Sequence, residues 1–237
     1  MMRRVLLGLL CIAMSLQAED VYATFTVEAE KSANLAFTAS GIVKNVTIDI
    51  ASVVKKGDVL AELENDDIKA SLNIATTALS FAKKEYERQK KVEKLVDASR
   101  LDTYAYKYEN AKAQVIYQQA LLEKTILKAP FDGIIFDKLV EVGDVVSGAM
   151  IRTVLKMQST KARKLIVSFD QKYWKVVKVG EVFEYRIDGD TKRYSGKITK
   201  IYPAADSKNR KMRAEVRTEG FLVGLFGEGM IKIPDVK

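Results

Sequence analysis

A split internal repeat constrains this chain more than any other feature. Gly41-Ile42-Val43 opens one copy, which runs through Val46-Thr47-Ile48-Asp49-Ile50-Ala51-Ser52-Val53-Val54 to Lys55-Lys56-Gly57-Asp58-Val59-Leu60. Gly133-Ile134-Ile135 opens a second, which runs through Val140-Glu141-Val142-Gly143-Asp144-Val145-Val146 to Ser147-Gly148-Ala149-Met150-Ile151. Ile48 matches Val140, Ile50 matches Val142, Ser52 matches Asp144, Val53-Val54 match Val145-Val146, and Gly57 matches Gly148. Alternating apolar and polar positions, β-branched residues and Gly turns mark short strands. One copy is too small to bury its own apolar face, so the two are expected to close one small β-sandwich together.

The stretch 65–124 between the copies holds neither Gly nor Pro. Ile68, Leu72, Ala75, Leu79, Ala82 and Tyr86 follow one another in alternating steps of four and three, as do Leu101, Tyr104, Tyr108, Ala111, Val115, Gln118 and Leu122. Both are heptad seams. Asn65 or Asp66 is placed to cap the first helix, Asp66 and Asp67 suit its positive end, and Ser99 is placed to cap the second. The phase breaks at Val96-Asp97-Ala98-Ser99, so the helices fold back as an antiparallel hairpin. At roughly 1.5 Å per residue each arm reaches about 45 Å at most.

From Lys161 onward the pattern changes again. Leu165-Ile-Val-Ser-Phe169, Val182-Phe-Glu-Tyr-Arg-Ile187, Gly196-Lys-Ile-Thr-Lys-Ile-Tyr202 and Met230-Ile-Lys-Ile233 read as strands. Asp188-Gly189 signals a turn, and Gly220, Gly224, Gly227 and Gly229 crowd the last connection. A short helix over 171–179 and an N-terminal strand over 21–27 complete a small β-barrel.

Composition excludes much enzymology. The chain has 237 residues, no His and a single Cys, Cys11. Catalytic triads that use His, His-based zinc sites and an intrachain disulfide are therefore ruled out. Arg3-Arg4, the apolar run 5–16 and Ala18 form a secretory signal peptide, with cleavage expected after Ala18. Leu16 at the −3 position is less ideal than Ala, and Leu10 argues against a lipoprotein cut before Cys11. The apolar run is shorter than the ~20 residues that span a bilayer. Cleavage removes the lone thiol, which suits an oxidising compartment. The net charge of +8 is compatible with nucleic acid, anionic lipid or plain solubility. Export makes nucleic acid the poorest of the three.

These features together resemble the periplasmic adaptor proteins of tripartite efflux pumps, also called membrane fusion proteins of the HlyD and RND-pump type. The carrying residues are Val54-Lys-Lys-Gly-Asp-Val-Leu-Ala-Glu-Leu63, Leu127-Lys-Ala-Pro-Phe-Asp-Gly-Ile-Ile135 and Val142-Gly-Asp-Val-Val146. The Ala129-Pro130-Phe131-Asp132-Gly133 run at the return from the hairpin is the family's signature, and the short adaptor of a Helicobacter-type pump is the nearest in pattern. The resemblance implies a mixed α+β, elongated chain. Its parts would be a signal peptide (1–18), a lipoyl-like sandwich (32–64 plus 125–157), a helical hairpin (65–124) and a β-barrel domain (19–31 plus 158–237). No sequence is left for a full membrane-proximal domain, so the barrel is expected to carry more of the transporter contact. Family members that engage a TolC-like outer-membrane channel carry Arg, Leu and Ser at relative positions 0, +4 and +11 near the tip. Arg88, Val92 and Ser99 stand there, with Val in place of Leu, a loss of about 0.8 kcal/mol in an apolar contact.

The resemblance further implies a periplasmic, envelope-associated, non-catalytic protein without cofactor or resident metal. Its partners would be an inner-membrane transporter, a TolC-like channel and copies of itself in a hexameric ring, with drugs or toxic compounds as cargo. A lipoyl or biotinyl carrier is the enzyme-component alternative. It would display a modifiable Lys at a tight hairpin, whereas Glu62-Leu-Glu-Asn-Asp-Asp67 has none and Lys69 falls in the helix. A metal-efflux adaptor for soft cations would cluster Met or Cys. Met150, Met157, Met212 and Met230 are scattered, and Met150 and Met157 read as core filler. An ABC-driven adaptor shares the fold.

Overall fold

The computed structural model describes residues 20–92 and 97–234. The expected signal peptide, with Cys11, lies outside them. Two compact units emerge, Lys31–Thr160 and a second built from the segments on either side of it.

In the first unit, β2 (Ser32–Leu35), β3 (Gly41–Val46), β4 (Val53–Val54) and β5 (Val59–Leu63) precede the helices. After them come β6 (Ile126–Lys128), β7 (Gly133–Lys138), β8 (Val145–Val146) and β9 (Leu155–Gln158). The strands form two sheets, ordered β2-β9-β7-β4 and β6-β5-β3-β8. Each sheet therefore takes its two inner strands from one side of the helical insertion and both edge strands from the other. β4 pairs with β7 (Val53 with Ile134), and β8 pairs with β3 (Ile42 with Val145).

Hydrogen bonds repeat across the same pseudo-twofold. Val43 N donates to Asp144 O (2.8 Å) and receives Gly143 N on its own carbonyl (2.9 Å). Ile135 N donates to Ser52 O (3.0 Å) and receives Ala51 N (2.8 Å). Ser52 Oγ and an Asp144 carboxylate oxygen each accept from the backbone three residues back, Asp49 N and Glu141 N, both at 2.9 Å. Leu60, Leu63, Ile135, Leu155 and Met157, drawn from both copies, are fully buried between the sheets. The match of Ile48 through Val54 to Val140 through Val146 is thus structural. That of Gly57 with Gly148 is not: Gly57 has φ +93°, whereas a Cβ at Gly148 would lie 2.5 Å from the Thr38 carbonyl oxygen.

Helix α1 (Asp66–Lys91) and helix α2 (Ala98–Lys124) are 26 and 27 residues long, or about 40 Å each. Their inward residues are those of the two heptad seams. Ala75 is buried, the others are half-buried, and Tyr86 stacks on Tyr108 at 5.6 Å. The cap of α2 is Asp97, not Ser99. The Asp97 carboxylate accepts from Ser99 N at 3.4 Å, which leaves Ser99 inside the first turn. Asn65 is the N-cap residue of α1, but its side chain makes no cap bond.

The second unit is a closed barrel in the order β1-β10-β13-β12-β11-β14. It comprises β1 (Val21–Ala29), β10 (Ala162–Asp170), β11 (Val182–Ile187), β12 (Tyr194–Ile201), β13 (Lys211–Glu219) and β14 (Phe226–Lys232). Phe25 meets Phe183 and Tyr185 edge to face in its core. Gly227 and Gly229 lie within β14 rather than in the last connection. A Cβ at either would strike the Phe25 or the Phe183 ring. The expected helix over 171–179 is a single 3-10 turn, Gln171–Tyr173. β-branched Val176, Val177 and Val179 disfavour continuing it, and Val177 instead plugs the barrel core at 2% exposure.

Ala51 (φ +70°) and Gly143 (φ +92°) occupy equivalent left-handed positions, where a Cβ costs about 1 kcal/mol. Nothing lies within 4 Å of a Cβ at Gly143. Ala51→Gly should stabilise the sandwich by about 1 kcal/mol and Gly143→Ala should destabilise it by a similar amount. Hydrogen exchange at the Val43 and Ile135 amides measures both.

Candidate functional site

The hairpin is fixed to the sandwich by a small polar knot. The chain leaves β5 and returns to β6 side by side, with Leu63 N donating to Thr125 O at 2.9 Å. Asn65 and Thr125, at the first and last turns of the hairpin, are both buried. Asn65 Nδ2 donates to Thr125 Oγ1 and to Glu62 Oε1, each at 2.9 Å, and the Thr125 hydroxyl donates to Leu122 O at 2.6 Å. Asn65 therefore serves the knot and not the cap. Lys69 reaches back from α1 to Glu62 at 2.9 Å, and Lys44 of β3 grips Asp66 at 2.9 Å. Lys69, then Asn65, hold the Glu62 carboxyl below its ordinary value.

The far end of the hairpin carries the three residues singled out in the sequence. Arg88 lies in the last turn of α1, Val92 is its C-cap, and Ser99 lies in the first turn of α2. All three are exposed, and none belongs to the intramolecular seam. Among the described residues Arg88 makes no hydrogen bond or ion pair, and the Ser99 hydroxyl has no partner. Lys90 and Lys91 add positive charge to the same turn, where the helix C-terminus favours it.

Exposure also picks out residues that the seam analysis passed over. Ile74 (72% exposed) and Phe81 (64%) stand fourteen and seven positions before Arg88, each one residue ahead of a seam residue. Ser99 heads a similar line on α2 with Tyr106, Ala113 and Ala120, all exposed. Each helix thus carries a second heptad line beside the one it uses internally. The seven-residue recurrence from Ile74 to Arg88 was visible in the sequence, but the stronger seam masked it.

Other candidates resolve plainly. Lys69 is ion-paired inside α1. Met157 is core, whereas Met150 is 79% exposed, against the reading of both as filler. No group of acidic, His or Cys side chains suited to a metal ion occurs among the described residues. No described helix is long and apolar enough to cross a membrane.

A repeat-built sandwich split by a helical hairpin and followed by a barrel is the architecture of adaptor-type membrane fusion proteins. Residues 31–154 match the CzcB-like barrel-sandwich hybrid domain, and the chain belongs to that family. It is similar to an uncharacterized protein of Haemophilus influenzae, 25% identical over 221 residues, covering 89% of this chain and 57% of the relative. It is also similar to the cobalt-zinc-cadmium resistance protein CzcB of Cupriavidus metallidurans, 24% identical over 205 residues, covering 79% of this chain and 39% of CzcB. The chain spans about half the length of these relatives. A crystal structure of a MacA-MexA chimera with the Pseudomonas aeruginosa MexA α-hairpin shares the fold. Its TM-score is 0.85 at 23% identity, over 93% of this chain and 84% of that one.

Asn65→Ala removes two buried hydrogen bonds and should cost about 1–3 kcal/mol, seen as lost exchange protection at the hairpin base. The knot should also respond to acid. A lowered carboxyl pKa stabilises the fold above its unfolded value and loses that contribution as pH falls through the folded one. Protection at the base should therefore decline below pH 4.5, the ordinary glutamate value. Glu62→Gln should weaken that dependence, leaving the part that comes from Asp66, which Lys44 also holds below its ordinary value.

Proposed function

We propose that this chain is the adaptor subunit of a tripartite efflux assembly in the cell envelope, joining an inner-membrane transporter of the RND type to a TolC-like outer-membrane channel. It acts without catalysis and reaches the periplasm through a cleaved signal peptide. Several copies, six on the family pattern, surround the conduit, and the hairpins meet the channel through Arg88, Val92 and Ser99.

The observation that carries this reading is the second, solvent-facing heptad line on α1. Ile74, Phe81 and Arg88 present helix-packing geometry turned away from the internal seam, and the line ends at a guanidinium that makes no hydrogen bond or ion pair among the described residues. Helices of a channel supply the complementary surface: apolar ridges for Phe81 and Val92, and carbonyl or carboxylate oxygens for the five N–H donors of Arg88. Drugs and toxic organic compounds are the primary cargo class. The name of the CzcB relative makes cobalt, zinc and cadmium the second class to assay.

In a strain whose own copy is deleted, the wild-type gene should restore resistance to one of the two cargo classes. Arg88→Asp and Ser99→Arg should fail to restore it, while expression and circular dichroism stay normal because neither side chain serves the internal seam. Wild-type resistance from both variants would remove the tip from the mechanism.

A further inference from the structure

The barrel has one end that its own fold does not explain. At this end lie the start of β1, the connection 171–181 between β10 and β11, and the connection 202–210 between β12 and β13. The two connections touch, with Gln171 N donating to Arg210 O at 3.0 Å. Val177 turns inward to close the barrel, and Tyr173 packs against the core. Their neighbours turn outward: Trp174 is 60% exposed, Val179 61% and Val176 42%.

Lysines alternate with these apolar side chains. Lys172, Lys175 and Lys178 are all exposed, and the Lys175 ammonium lies over the Trp174 ring, 5.2 Å from its centroid. Lys208 and Arg210 add two exposed cations from the adjoining connection. Of the nearby acids, Glu181 is half-buried beside Lys178, where burial raises its carboxyl pKa, Asp20 pairs with Lys232, and two others accept internal bonds. Asp170 accepts from Lys172 N, and the Asp206 carboxylate accepts from Lys208 N and Asn209 Nδ2. The opposite end of the barrel also exposes apolar side chains, Leu222 and Phe226, but its charges are mixed in sign, with Asp188 and Glu219 among Lys192 and Arg193.

We infer that the 171–181 end of the barrel is a membrane-surface contact, taking the anionic phospholipid headgroups of a bilayer. Indole and aliphatic side chains settle at the headgroup boundary, while lysines reach phosphate oxygens and keep their stems in apolar surroundings. The cations are complementary to an anionic leaflet, where each basic residue contributes about fivefold in affinity.

Trp174 is the only tryptophan of the chain, so its fluorescence reports on this surface alone. The full exported chain should show a blue-shifted Trp174 emission with equimolar phosphatidylcholine–phosphatidylglycerol vesicles and quenching by lipids brominated in their tails. Pure phosphatidylcholine vesicles should give neither, and added salt should weaken the effect. Combined Lys172→Glu, Lys175→Glu and Lys178→Glu should lower vesicle affinity about a hundredfold. These side chains are exposed, and circular dichroism checks that the barrel is retained. Unchanged emission with anionic vesicles, or equal binding by the triple variant, would overturn the inference. So would shielding of Trp174 by a lipid-free transporter protein but not by lipid. The tip variants Arg88→Asp and Ser99→Arg should bind vesicles normally, which separates this contact from channel docking.

Discussion

Each half of the repeat completes the other's sheet, and the rest of the first unit depends on that exchange. Without β8, β3 has an open edge; without β4, so has β7. The side chains that fill the space between the sheets come from both halves, so neither half has a core of its own. Bringing two segments together across a long flexible insertion carries a loop-closure cost. The insertion here is an antiparallel hairpin whose own seam holds its two ends adjacent. Helix pairing and sandwich closure therefore favour one another, and the Asn65–Thr125–Glu62 knot sits where the two meet.

The same arrangement divides labour between buried and exposed residues. The seam of Leu72, Ala75, Leu79 and Tyr86 straightens the arms and leaves their flanks free. Those flanks carry the second heptad line, and the side chains of Arg88 and Ser99 take no part in the seam. A barrel built by separate strands exposes alternating apolar and basic side chains at its 171–181 end, on connections that the barrel core does not require to be apolar on their outer side. The surfaces proposed for recognition are thus ones whose alteration leaves the cores intact.

Much of this was legible in the sequence because periodicity encodes burial. The heptad seams, the matched strands and the alternation in β10 and β11 all follow from which face must leave water. Conformational details were less accessible. Asp97 rather than Ser99 caps α2, since both residue types accept backbone bonds and only the turn decides which is in place. Asn65 looked like a cap, and its partner Thr125 is sixty positions away, beyond any local pattern. Gly57 and Gly148 looked equivalent because a glycine required for its φ and one required for close packing read alike. The helix expected over 171–179 failed because Val177 gains more by entering the barrel than a short valine-rich helix gains by forming. Of the tip, the three residues could be named from the family pattern, but their freedom from the seam and their extension through Phe81 and Ile74 required knowing which faces are covered.

Because the hairpin is closed at its base and repeats every seven residues along its seam, its length is an independent variable. One heptad added to both arms lengthens it by about 10.5 Å and returns the tip to nearly the same azimuth, with the knot and the sandwich untouched. A step of five residues, by contrast, would swing Arg88 and Ser99 roughly 140° around the axis as it advanced them. The hairpin is in this sense a measuring rod graduated in heptads, adjustable in discrete increments while its base and its tip stay the same.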